Sequence, residues 1–163
     1  MSKYPTLYLL CGKVAAGKST LAAKLAQSGN SVLIAEDEWL ATLFANELQT
    51  PKDYLRCAAK LRAAMAPHIV SLLKAELSVV LDFQANTIES RAWMRGLLDQ
   101  VSVEHEFHVL APPDEVCLAR LKERNASGLH PFTVTEEQFH KISAHFVPPS
   151  PEEGFNLIIH DEA

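Results

Sequence analysis

Residues Gly12-Lys13-Val14-Ala15-Ala16-Gly17-Lys18-Ser19 fit the spacing G-x-x-x-x-G-K-[ST], with Thr20 following, and no other stretch constrains the fold as tightly. The two glycines let the backbone bend until its N–H groups converge on a polyphosphate. Lys18 adds a mobile positive charge, and the Ser19 hydroxyl is a hard oxygen donor suited to Mg²⁺. The flanks decide between this reading and an ordinary glycine-bearing turn. Leu7 to Cys11 is a short apolar run that reads as a buried strand, and Ser19 to Gln27 is rich in alanine and leucine and reads as a helix. Strand, glycine loop and helix in that order are what a phosphate cradle requires.

A chain of 163 residues is most simply one domain, 1–163, with a core large enough to need no cross-links. Its three cysteines, Cys11, Cys57 and Cys117, are odd in number and form no C-x-x-C pair, which fits a reducing, cytoplasmic compartment. No apolar run approaches the ~18 residues of a membrane span, and the first six residues lack the apolar core of a signal peptide. A formal charge of −5 leaves no global basic footprint, which argues against a nucleic-acid partner. The seven histidines form no H-E-x-x-H or Cys/His cluster, so no zinc site is expected. A serine-hydrolase elbow, G-x-S-x-G, is also lacking.

Gly29-Asn30 turns the chain into a second strand, Ser31 to Ala35, which ends on Glu36-Asp37-Glu38. Ligands gather at the C-terminal edge of open α/β sheets, so Asp37 reads as a functional carboxylate there. The alternative is an acidic helix start favoured by the helix dipole, which suits Glu36 and Glu38. Thr50 caps a long helix with Pro51 in its first turn, and Tyr54, Ala58, Leu61, Met65, Ile69 and Leu72 form its buried face. Pro67 either kinks or divides that helix. Ser78 to Asp82 is a third strand ending on an acid, the position of the carboxylate that supports Mg²⁺ in such loops. Beyond it, Asn86 and Glu89 suggest a capping box, and Arg91 and Arg95 share a helical face. Asn86 and Arg91 are candidates to contact an anionic or hydroxyl-bearing substrate. A fourth strand is expected over His105 to Leu110, and Pro112-Pro113-Asp114 then starts a helix through Arg120. Residues 125–134 read as a loop, Thr135 to Gln138 is a capping box for a helix with Phe139, Ile142 and Phe146 inward, and Phe155 to Ile159 supplies a fifth strand.

Taken together, Gly12 to Thr20, Ala35-Glu36-Asp37, Val79 to Asn86, Arg120 to Asn125 and Pro148 to Phe155 resemble the small P-loop kinases grouped with the AAA-type ATP-binding kinases. That set is similar in plan to chloramphenicol phosphotransferase, polynucleotide kinase and zeta toxin. The resemblance implies a three-layer α/β fold, a parallel five-stranded sheet in order 2-3-1-4-5 with helices on both faces, and a short lid over roughly residues 120–134. It implies that Asp37 acts on the acceptor hydroxyl, that Arg120 lies against adenine and that Arg124 reaches the phosphates. One departure stands out: polynucleotide kinases and zeta toxins place an arginine shortly after the acid, where this chain has Glu38-Trp39-Leu40-Ala41.

The leading functional reading is an ATP- and Mg²⁺-dependent phosphotransferase acting on a hydroxyl of a small molecule. The cofactor contacts expected are Gly12, Lys13, Val14, Ala15, Ala16, Gly17, Lys18, Ser19, Thr20, Arg120 and Arg124. Ser19 and Asp82 are expected at the metal, and Lys18, Asp37 and Arg124 in the chemistry. The alternatives are a nucleotide-dependent ATPase switch or binding module, and a polynucleotide 5′-kinase or toxin-like kinase.

Overall fold

The computed structural model describes residues 4–128 and 133–160. Five strands, β1 (Thr6–Gly12), β2 (Ser31–Ala35), β3 (Ser78–Asp82), β4 (Glu104–Leu110) and β5 (Leu157–His160), form one sheet in the order β2-β3-β1-β4-β5. Every pairing is parallel. The expected sheet order is therefore observed. Parallel neighbours need a crossover, and helices supply each one: α1 (Lys18–Leu25), α2 (Glu36–Phe44), α3 (Pro51–Lys74), α4 (Ile88–Gln100), α5 (Asp114–Ser127) and α6 (Glu136–Ala144).

Side chains alternate across a strand, so each strand feeds two layers. Leu7, Leu9 and Cys11 of β1, Val79 and Leu81 of β3, and Phe107 and Val109 of β4 join the main core with Leu61, Met65 and Ile69 of α3 and Met94 and Leu97 of α4. The intervening Leu10 and Val80 face the other way and pack with Ala22 of α1. A third cluster, Cys117 and Leu121 of α5 with Phe139 of α6, closes over Ala16 of the glycine loop. The central β1 is the most protected element, with Leu7, Leu9, Leu10 and Cys11 all fully buried.

Helix α3 runs unbroken through Pro67, whose carbonyl accepts the Ser71 hydroxyl at 2.9 Å. Thr50 caps its start, as its sequence suggests, and Asp53 returns the contact to complete a capping box. Several boundaries differ from expectation. The cap of α4 is Thr87, whose hydroxyl accepts the Ser90 N–H at 3.1 Å, because the Asn86 side chain is buried and used elsewhere. Helix α5 continues past Arg120 to Ser127 and ends on Gly128, which takes the left-handed conformation (φ 66°) common at helix C-termini. Both lid-flanking arginines consequently stand on one helix, and residues 125–127 of the expected loop are helical instead; positions 129–132 of that expected loop lie outside the described residues. In α6 only Phe139 is fully buried, while Ile142 is exposed, since this short helix covers the fold at one turn.

Candidate active site

The glycine loop joins β1 to α1, and its backbone departs from ordinary conformations at two places. Ala15 and Gly17 have φ of 63° and 103°, which turns successive N–H groups inward ahead of the α1 N-terminus. A Cβ on Gly12 would stand 3.0 Å from the Leu110 carbonyl oxygen and 3.1 Å from the Ala16 methyl, so glycine lets β1, β4 and the loop close together. Asn86 braces the same point: its Oδ1 accepts the Gly12 N–H at 3.2 Å and the Cys11 thiol at 3.4 Å. Burial pushes the Cys11 thiol up to about 11, against the opposing charge of Lys18. Lys13 leaves the loop to pair with Asp114 at 2.8 Å.

Strand alternation aims Asp82 to the α1 side of the sheet, as it does Val80. The Ser19 hydroxyl donates to Asp82 Oδ2 at 2.7 Å. This meeting falls between β1 and β3, whose following helices α1 and α4 leave on opposite faces, the place where ligands of open α/β sheets gather. Asp37, in the first turn of α2, sits at the neighbouring strand end, where Ala35 pairs in register with Asp82. The Tyr54 hydroxyl donates to Asp37 Oδ1 at 3.1 Å. Burial, then the negative charges of Asp37 and Glu36, hold the Tyr54 phenol well above the usual tyrosine value, so it stays a protonated donor at neutral pH.

Helix α5 reaches both halves of the site. Arg120 Nη1 donates to the Ala16 carbonyl at 3.1 Å, which lays this side chain over the loop. One turn later, Arg124 is half-buried and feels the charge of Asp37; burial lowers its guanidinium from the usual arginine value while that charge opposes the shift. Its Nε is buried with no hydrogen-bond partner among the described residues. A shallow depression along the outside of α1 meets this site only at Ser19 and Thr20.

Two expected substrate contacts are placed differently. Arg91 is almost fully buried: Nε donates to Glu153 at 2.7 Å, and Nη1 to the carbonyls of Ala85 at 2.9 Å and Val147 at 2.7 Å. It clasps the chain before β5 onto the loop after β3, and its i, i+4 partner Arg95 turns to Gly154 and the Phe155 ring. Asn86, with its oxygen on the glycine loop, is a brace for that loop. Conversely, three groups that shape the site were not singled out for it. Tyr54 read as one more core position of α3, although the phenol oxygen of a tyrosine at a helix start needs a partner when buried. Glu36 and Arg62 form a buried pair: Arg62 Nε meets Glu36 Oε2 at 2.9 Å, and Nη2 meets Oε1 at 3.3 Å and the Gln84 carbonyl at 2.6 Å. The Gln84 N–H in turn donates to Glu36 Oε1 at 3.0 Å, so this pair ties the α2 start to the loop after β3.

No helix among the described residues is long and apolar enough to cross a membrane. No curated protein matches the chain. Among solved structures it is similar to a provisionally named kinase from Chloroflexus aurantiacus j-10-fl, at 19% identity over 98% of this chain and 87% of that one, with a TM-score of 0.74. A sugar kinase from Janibacter sp. HTCC2649 aligns at 19% identity over 96% and 85% of the two chains, with a TM-score of 0.65. An APS kinase from Mycobacterium tuberculosis, in complex with AMPPNP and APS, aligns at 18% identity over 99% and 92%, with a TM-score of 0.63. These likenesses establish the fold. The family model AAA_33, an AAA domain, matches residues 7–149. With that match spanning most of its length and the sheet order, glycine loop and strand-end acids in place, the chain belongs to the AAA_33 family and has the fold of the small P-loop kinases.

Proposed function

We propose that the protein transfers the γ-phosphoryl group of ATP to a hydroxyl of a small molecule. The observation that carries this reading is the 2.7 Å contact of Ser19 with Asp82 at the mouth of the glycine loop, beside an Asp37 oriented by Tyr54. The kinases among the structures it resembles, one of them bound to AMPPNP, support the same reading.

On this reading the inward N–H groups of Gly12 to Ser19 and the α1 N-terminus hold the phosphates, and Lys18 follows the charge of the transferred group. The residues fit a Mg²⁺ ion. A hydroxyl and a carboxylate already side by side are hard oxygen donors of the type it takes, and Ser19 and Asp82 would hold it. Bound there, the ion supplies charge neutralisation on the phosphate oxygens. Arg120 orders the loop from above through the Ala16 carbonyl, and Arg124, one turn along α5, lies within the field of the Asp37 charge. Asp37 accepts the acceptor's proton, and Tyr54 keeps its carboxylate aimed. Phosphoryl transfer needs positioning and electrostatics more than covalent help, and these groups provide both.

The test is calorimetric titration of ATP, with and without Mg²⁺, into the wild-type protein and a folded Lys18→Ala variant. The wild type should bind in a Mg²⁺-dependent manner, and Lys18→Ala should lose turnover while keeping its thermal unfolding midpoint. Equal affinity and turnover in the two proteins would reject the assignment. ATP hydrolysis unaffected by any hydroxyl compound would favour a nucleotide switch instead.

A further inference from the structure

Helix α3 grips the first turn of α2 at two points about two turns apart along its own length. Tyr54 donates to Asp37 Oδ1 at 3.1 Å, and Arg62 fastens the preceding residue, Glu36, through Nε on Oε2 at 2.9 Å and Nη2 on Oε1 at 3.3 Å. Arg62 also reaches the chain leaving β3. Its Nη2 donates to the Gln84 carbonyl at 2.6 Å, and its plane lies over the Phe83 and Trp93 rings at 5.6 and 5.0 Å, while the Gln84 N–H returns to Glu36 Oε1 at 3.0 Å. Phe83 and Gln84 directly follow Asp82, and Asp82 pairs in register with Ala35, the residue before Glu36. One guanidinium therefore joins the two backbone segments that carry Asp37 and Asp82. As a source of stability such a pair is weak, since replacing a buried ion pair by apolar side chains of similar volume is often neutral or stabilising. What a planar arginine fork does well is hold several acceptors at fixed angles.

Resting on the phosphotransfer reading above, we propose that Arg62 is a positioning residue for phosphoryl transfer, acting through Glu36 and the Gln84 carbonyl to set Asp37 against Asp82 and hence against the γ-phosphate. It works in two ways. Its contacts fix the spacing of the two strand ends, and its charge cancels that of Glu36 one residue from Asp37. Tyr54 from α3, Arg124 from α5 and Asp82 from the neighbouring strand end are the other ionisable groups at this edge, and the phenol of Tyr54 feels the charges of Asp37, Glu36 and Arg62 together. A misplacement of about 1 Å here costs up to about a hundredfold in rate, because in-line transfer tolerates little misalignment. On this reading the glycine loop and Lys18 hold ATP, so the effect of Arg62 falls on kcat and spares ATP binding.

The experiment follows ADP release from ATP and Mg²⁺ by the full chain with water as the acceptor. The water oxygen bonds to the γ-phosphorus as the bond to the β,γ-bridging oxygen breaks, ADP taking that electron pair and Asp37 the proton. Rates are measured between about pH 5 and 9 on the wild type, Arg62→Met, Arg62→Lys and Glu36→Gln/Arg62→Met, each below its own unfolding midpoint. Arg62→Met should lower kcat by about tenfold to a hundredfold and change KM for ATP by less than about threefold. Its unpaired Glu36 charge favours protonation of the neighbouring base, so the acid limb of its kcat profile should move to higher pH. Arg62→Lys keeps the charge and loses the fork, so kcat should fall with the acid limb unmoved. The double variant removes the stranded charge and regains stability, and its acid limb should return, yet kcat should stay low because the Gln84 carbonyl is no longer held. A merely structural Arg62 predicts that kcat recovers with stability in the double variant. That recovery, or a kcat for Arg62→Met or Arg62→Lys within about twofold of wild type, overturns the proposal. Calorimetric titration of ATP into the wild type separates the two levels of the argument. A wild type that neither binds ATP nor releases ADP removes the phosphotransfer reading itself, whereas an active wild type matched by its Arg62 variants overturns the role of Arg62 alone.

Discussion

Arg62→Met tests whether the buried pair behind Asp37 holds this edge of the sheet. Glu36 has a side chain only 2% exposed and Arg62 one 11% exposed, so neither charge has much water to fall back on. Methionine keeps much of the apolar stem that packs against Phe83 and Trp93 but removes three donor contacts, two to Glu36 and one to the Gln84 carbonyl. The carboxylate is left with the Gln84 N–H as the remaining donor among the contacts described here. Breaking one side of such a pair costs about 3–5 kcal/mol, because an uncompensated buried charge remains. For a chain of this length that corresponds to a fall of roughly 6–20 °C in Tm. Urea unfolding followed by circular dichroism measures it directly. The double variant Glu36→Gln/Arg62→Met retains an acceptor for the Gln84 N–H without the stranded charge, and it should recover at least about 2 kcal/mol relative to the sum of the single changes. An Arg62→Met protein that loses less than about 1 kcal/mol, or a double variant whose losses simply add, would refute the reasoning.

Other consequences are equally open to measurement. Asp37→Asn keeps the side-chain shape and the Tyr54 contact but removes the charge, so phosphoryl transfer should drop by ~10²–10⁴-fold while ATP affinity is preserved; a fully active variant would remove Asp37 from the chemistry. Burial, more than its contact with Glu106, holds His108 below the ordinary imidazole value of 6.5. The unfolded chain therefore binds the extra proton first, and stability should be full above about pH 6.5 and decline as the pH falls below it. His108→Gln should flatten that decline in unfolding midpoints measured between pH 7 and 5, with a residual slope from His105, whose imidazole is lowered in the same direction.

Much of the site was legible because its parts are either contiguous or placed by a simple period. Gly12 to Ser19 carries its own geometry: glycine at position 17 permits the left-handed turn, and the apolar run before it makes β1. Asp82 was legible because a strand of period two ends on it, and Asp37 because it follows the next strand over. Less was readable where one residue must meet another far along the chain. Arg91 and Asn86 looked like free polar groups of a loop and helix start. Their use by Glu153 and Gly12 depends on how the segment before β5 crosses that loop, which no local pattern encodes.

Local pattern by itself determined which segments are strands and which are helices, though not all of their ends, together with the glycine loop, the caps at Thr50 and Thr135 and the positions of the two strand-end acids. Each of these is set by neighbouring residues through backbone geometry and short-range hydrogen bonds. Tertiary structure alone decided which charges remain available. Arg62 finds Glu36 across 26 positions and Arg91 finds Glu153 across 62, and only packing α3 and α4 onto the same face of the sheet brings those partners within hydrogen-bond reach. Burial then makes each pairing obligatory, because an arginine removed from water must find a counter-charge inside the fold.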